Sequence, residues 1–185
     1  MKTFVKKLLF FLFVVSTIVF VRIFIAQLYV VNGNSMLPTL KTGSLLFTSK
    51  YNFSQRIPLT NKEFSYGIPK IDRLEMVLFE GEEGDILIKR VIGLPGDYYS
   101  FQDGRIFIDS LPLDEKYKLQ ESKTILPNQS LVADSVFFPM RREGRIPPDY
   151  YLLLGDNREH SYDSRNIGLV PTVRLRGKVL YILKN

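Results

Sequence analysis

From Leu8 to Val21 every residue is apolar except Ser16 and Thr17, and Lys2, Lys6 and Lys7 precede the run. This stretch constrains the fold most, because a segment that enters lipid must satisfy its own backbone polar groups, which for a single run means a helix. At about 1.5 Å per residue the run makes a helix of only about 21 Å, short of the roughly 30 Å hydrocarbon core. Continuing through Arg22 to Ala26 or Leu28 makes up the difference, so the expected transmembrane helix covers 8–28. Arg22 would then snorkel to the far interface, with Tyr29 beside it at headgroup level. The lysines before the span favour residues 1–7 in the cytoplasm and residues 29–185 outside it. A cleaved signal peptide also starts with charge and an apolar run, but the alanines are Ala26 and Ala133, so no Ala-x-Ala site follows. A retained single-pass anchor is the preferred reading.

Of 185 residues, 45% are hydrophobic, and the span leaves about 150 residues, enough for one domain with its own core. The absence of Cys removes disulfides, thiolate metal sites and a cysteine nucleophile. A single His, His160, argues against a His-ligated metal centre. The net charge is +6, from 25 Lys and Arg against 19 Asp and Glu, yet the cations lie scattered among acids without a basic helix or basic-aromatic stripe. That pattern speaks against nucleic acid and for a solvated surface facing anionic lipid headgroups.

Past Leu40 the pattern changes to short apolar runs separated by Gly, Pro and Asp. Ser44–Tyr51, Glu75–Phe79, Asp85–Ile92, Tyr98–Gln102, Arg105–Ile108, Tyr150–Leu154 and Gly177–Leu183 read as strands. Asp103-Gly104 between two of them is a hairpin turn signal. No later segment sustains a helical period, so the expected domain is all-β. Residues 119–148, with four prolines, read as a long excursion.

Three segments carry candidate chemistry. Asn32 to Leu40 is a turn at the junction of span and domain, in which Gly33 tolerates positive φ and Pro38 stops a helix. It presents Ser35, whose hydroxyl can equally serve only its own turn. In Asp85–Ile92, alternation puts Lys89 on a face with Leu87 and Val91, and Arg90 on the other with Ile86, Ile88 and Ile92. A desolvated lysine loses its proton more easily, so Lys89 is a possible general base; an edge strand kept soluble by two cations reads the same way. The turn Gly93-Leu94-Pro95-Gly96-Asp97 ends this strand tightly. The third segment, Gly155 to Arg165, gathers donors and acceptors after an apolar strand, and taken alone is a capped turn with an Asp163–Arg165 ion pair.

In series, Ser35 before Met-x-Pro-Thr-Leu, Lys89 in Ile-Lys-Arg-Val-Ile-Gly-Leu-Pro-Gly-Asp, and Gly-Asp-Asn-Arg-x-x-Ser-x-Asp-Ser-Arg resemble the ordered boxes of bacterial type I signal peptidases. Gly104 to Asp109 with Leu113 to Tyr117 is similar to that family's hairpin, and Gly177-Lys178 to its closing strand. The resemblance implies a mainly β fold: an N-terminal transmembrane helix followed by a catalytic domain of coiled antiparallel sheets. It implies a membrane-anchored serine endopeptidase that cuts secretory preproteins after Ala-x-Ala, at the bacterial cytoplasmic membrane, with membrane lipid as neighbour and no metal or other cofactor. Ser35 would be the nucleophile and Lys89 its general base. Gly33 would sit in the oxyanion region, Ser161 would orient the amine, and Asp163 with Arg165 would brace the loop. Val31, Met36, Leu40, Leu87 and Ile88 would line shallow apolar pockets.

The chain departs from the family pattern at three places. Gly33 stands where many members have a Ser that helps bind the oxyanion, which puts more weight on backbone N–H groups, chiefly that of Ser35. Arg73-Leu74-Glu75 replaces Arg-Gly-Asp, and Glu159-His160 replaces Asp-Asn. His160 suggests a Ser-His-Asp triad, but it occupies a position the family does not use as base. A dedicated-substrate relative such as a pilus-processing protease, or an inactive membrane-tethered β binding module, are the competing classes; intact Ser35 and Lys89 count against the second.

Overall fold

The computed structural model describes residues 2–56, 60, 62–65, 67–117, 124 and 141–185. The first element, helix α1 (Lys2–Phe24), has 23 residues. At about 1.5 Å per residue it is about 34 Å long, enough for a hydrocarbon core of roughly 30 Å. None of its apolar window is buried by the rest of the described chain. It starts earlier and stops sooner than the expected 8–28. Lysines are good helix formers, so the helix takes in Lys2, Lys6 and Lys7 and reaches spanning length without Ala26 to Leu28. Those residues instead form strand β1 (Ala26–Val30), whose five residues find ladder partners from Ala26↔Ser49 to Val30↔Leu45. Tyr29, expected at headgroup level on a helix, sits in that strand.

Strands β2 (Leu45–Ser49), β3 (Gln55–Arg56), β4 (Glu63–Phe64), β5 (Met76–Glu80) and β6 (Ile86–Gly93) follow, then β7 (Tyr98–Gln102), β8 (Arg105–Ile108) and β9 (Leu111–Pro112). After them come β10 (Glu143–Arg145), β11 (Tyr150–Leu154), the short helix α2 (Ser164–Ile167), β12 (Val170–Pro171) and β13 (Leu175–Lys184). A seven-stranded sheet runs β1-β2-β13-β5-β6-β11-β12, a four-stranded one β10-β7-β8-β9, and β3 and β4 pair alone. Every pairing is antiparallel. The fold is mainly β, with the helix as its N-terminal appendage.

All seven sequence-read strands are present within two residues at either end. Besides β1, the strands missed include polar or proline-bearing edges such as Leu111–Pro112, Val170–Pro171 and Glu143–Arg145, which lack an alternating run. Asp103 and Gly104 both take positive φ, 49° and 76°, as a two-residue hairpin turn requires. Most of the expected excursion over 119–148 lies outside the described residues.

The large sheet is buried on both faces around β6 and β11. Val91 and Leu153 point into one apolar cluster with Val77, Phe79 and Leu175. Ile92, Leu152 and Leu154 point into another with Phe101, Ile106 and Ile146. This explains why β6 reads as nearly continuous apolar sequence: neither of its faces meets water along its second half. The register shift between Leu152 and Leu153 marks a bulge opposite Val91 to Gly93.

Candidate active site

β6 is flanked by β5 and β11, so Lys89 stands on a strand paired along both edges, opposite Val77 of β5. Its side chain is 2% exposed. The strand's end is fixed by Asp97, which takes an ion pair from Arg73 at 2.7 Å while the Arg73 guanidinium also donates to Ile92 O at 2.9 Å. The turn entering β5 is resolved too. Leu74 holds φ of 71° where the resembled family places Gly, and it keeps that conformation by donating to Val91 O at 2.8 Å.

The second component is the loop between β1 and β2. Its ends close on each other, Val31 N donating to Ser44 O and Gly43 N to Val31 O, both at 2.9 Å. Gly33 has φ of 106°, a backbone state that an L side chain rarely adopts. Met36 and Leu40 turn inward and are fully buried with Val31 and Leu46, which fixes the half-buried Ser35 between them and the surface. The result is a direct contact: Lys89 Nζ lies 2.9 Å from Ser35 Oγ. Burial pushes the Lys89 ammonium below the ordinary lysine range, and the Arg165 guanidinium adds to this, while the carboxylates of Asp163, Asp85 and Asp156 work the other way. A neutral amine at this distance can accept the hydroxyl proton.

The third component follows β11. Gly155 is there because nothing larger fits: a Cβ would lie 2.5 Å from Ser35 O and closer still to the Ser161 side chain. Asn157 N donates to Ser35 O and Asn157 Nδ2 to Asn34 O, each at 3.0 Å, so this loop grips the loop that carries Ser35 through its backbone. Asp163 is fully buried and does several jobs. It accepts from Gly155 N at 2.9 Å, caps α2, and pairs with Arg165, whose Nε lies 2.8 Å away. Arg90, buried like Lys89, reaches Asp156 with two parallel bonds of 2.8 and 2.6 Å and donates to Leu74 O at 2.7 Å. Thr39 Oγ1 donates to the same Asp156 carboxylate. One strand thus carries a lysine toward Ser35 on one face and an arginine that ties all three components together on the other.

A cleft of about 480 Å³ opens over the pair, lined by Gly33, Asn34, Ser35, Gly81, Glu82, Glu83, Asp85, Leu87, Lys89, His160, Tyr162 and Ile167. Of the expected residues, Ser35, Lys89, Gly33 and Leu87 line this cleft, while Asp163 and Arg165 are buried outside its lining, close enough to act on Lys89 through their charges. Ser161 lies in the same loop, but its buried hydroxyl has no hydrogen-bond partner among the described residues, so it does not hold the amine. Val31, Met36 and Leu40 do not line the cleft; as the apolar residues of a tight loop they supply its core, and Ile88 packs against them from β6. Sequence reasoning passed over Asp156, Asn157 and Thr39. The first two stood inside the quoted Gly-Asp-Asn-Arg string, where their polarity in an otherwise buried segment was the available signal. Among the described residues no group of three or more His, Cys, Asp or Glu is placed to hold a metal ion.

Comparison with known proteins identifies the family. The family model described as signal peptidase, peptidase S26, matches residues 2–183. The chain is similar to signal peptidase I of Bacillus caldolyticus, 34% identical over 165 residues that make up 89% of this chain and 83% of the relative. It is also similar to signal peptidase I V of Bacillus subtilis (strain 168), 30% identical with 82% of each chain covered. Signal peptidase IB of Staphylococcus aureus (strain COL) is 29% identical, over 85% of this chain and 78% of its own length. With the match running from the first helix to the last strand, the chain belongs to the signal peptidase family, peptidase S26.

Proposed function

We propose that this chain is a membrane-anchored serine endopeptidase that removes signal peptides from secretory preproteins, with Ser35 as nucleophile and Lys89 as general base. The observation that carries the residue assignment is the 2.9 Å separation of Lys89 Nζ and Ser35 Oγ with the amine almost wholly out of water. Neutral Lys89 takes the Ser35 proton as Oγ attacks the scissile carbonyl. The oxyanion that forms meets the Ser35 N–H, which donates to no described residue, at a turn kept open by Gly33. Lys89 then gives its proton to the departing amine, leaving an ester on Ser35. Water, deprotonated by Lys89, hydrolyses the ester and restores the enzyme.

The preprotein enters as an extended segment across the cleft, pairing with the backbone that borders it. Leu87 lines the cleft with an apolar wall that suits small side chains such as Ala, while Val31, Met36 and Leu40, with Ile88 packed against them, form the core of the loop that carries Ser35. Asp163 and Arg165 hold the third component against both. The N-terminal lysines support a helix start in the cytoplasm and a β domain outside it, at the bacterial cytoplasmic membrane.

The test uses the purified full-length protein in detergent with a secretory preprotein bearing an Ala-x-Ala site. Ser35→Ala and Lys89→Met are each expected to lower cleavage on the order of 10⁴-fold or more. Thermal unfolding stays near wild type, because Lys89→Met removes a buried amine rather than a packing group. Cleavage that survives either change would sink the pair.

A further inference from the structure

We propose that Asn185 is a positioning residue for Ser35, acting through the return limb of the loop that carries the nucleophile. The inference rests on Ser35 being that nucleophile. β13 runs antiparallel to β2 with Lys184 opposite Leu45, so the register puts Asn185 beside Ser44, where the loop re-enters the sheet. The Asn185 carboxamide bonds three groups of that limb. Its Oδ1 accepts from Ser44 Oγ at 2.8 Å and from Lys41 N at 3.3 Å, and its Nδ2 donates to Thr39 O at 3.1 Å.

The path to Ser35 is short. Leu40 N donates to Met36 O at 2.9 Å, and Met36 is the residue after the nucleophile. Thr39 is gripped from the opposite side through its hydroxyl, by Asp156 and by Arg90. The limb is therefore held on two fronts, by the buried Arg90–Asp156 pair and by Asn185. Without the second, the limb keeps the Arg90–Asp156 grip on Thr39, the buried Leu40 and the Lys41 N–Ser44 Oγ bond, but its link to the last strand is gone, and the turn that sets the Ser35 hydroxyl against Lys89 loosens. Only an amide of this length suits the position. Aspartate keeps the shape and the acceptor but would face Thr39 O with a second oxygen instead of an N–H.

The experiment compares wild type, Asn185→Ala and Asn185→Asp, full-length in detergent, by preprotein cleavage and by amide hydrogen exchange over residues 36–45. Hydrogen bonds of this kind hold a limb only modestly against competition from water. Both variants should therefore lose about three- to tenfold in kcat. KM and the pH midpoint should be unmoved, and exchange at residues 39–44 should quicken by a similar factor. Asp failing along with Ala is the signature of the donor, since a space-filling role would tolerate Asp. Unchanged kcat and exchange in both variants would overturn the proposal. So would a loss carried by KM, or one accompanied by faster exchange throughout β5 and β6, which would make Asn185 a residue of the fold. Failure of the Ser35 assignment would look different: Ser35→Ala would still cleave, whatever exchange the Asn185 variants show.

Discussion

Lys89 sits between opposed influences, and one of them can be removed without touching the fold. Desolvation lowers its proton affinity, whereas the Asp85 carboxylate, at the rim of the same cleft, stabilises the ammonium. Asp85→Asn takes away a favourable partner of the charged form, so the amine should lose its proton at lower pH. Activity that needs neutral Lys89 rises with pH through that midpoint. The rising limb of kcat/KM should then move to lower pH in Asp85→Asn, with cleavage near pH 7 increased; a limb that stays put, or moves up, would contradict the charge assignment. Much of this was legible beforehand. Alternation alone put Lys89 with Leu87 and Val91, and the three motifs named Ser35. The fates of Met36 and Leu40 were not legible, because apolar residues beside a nucleophile look the same as pocket walls or as loop core until the chain closes on itself.

At the level of elements, the site depends on how closely the loop after β11 approaches the loop after β1. Gly155 is a point of close approach, and the group it meets on the Ser35 side is backbone, which cannot swing aside. Gly155→Ala should force the two loops apart at a cost of about 1–3 kcal/mol. Since a misplacement of about 1 Å can cost 10²-fold, preprotein cleavage should fall by about that factor while circular dichroism remains β-type; near wild-type activity would show that the loops have slack. The β6 strand was read correctly because both its faces are buried and its residues say so. Two-residue strands such as Val170–Pro171 gave no such signal, since their pairing is decided by the neighbour they happen to lie beside. Leu74, at φ of 71°, belongs with these: nothing local in Arg-Leu-Glu announces a left-handed residue.

For the molecule as a whole, the apolar run was readable as a spanning helix from composition, while its end was not. Tyr29 and Val30 pair into a sheet that is assembled from segments up to residue 184, so the boundary is settled by tertiary contacts rather than by hydropathy. Ile25 alone separates α1 from β1; its N–H still bonds Val21 O at 2.9 Å, and its carbonyl already accepts from Lys50 N at 2.7 Å. A flexible Gly-Ser insertion between Phe24 and Ile25 should therefore leave cleavage of a soluble peptide within about twofold of wild type, since the Lys50 N–Ile25 O bond and the β core stay in place. Processing of a bilayer-embedded preprotein should fall more. Equal effects on both substrates would mean that the joint carries no directional information.

That joint is one residue long and is bonded to the helix on one side and to the β domain on the other. We propose that, with α1 seated among lipids, so short a tether keeps the domain from roaming like a float on a line. The mouth of the cleft would then ride near one height, with the membrane as the ruler against which a passing chain is measured.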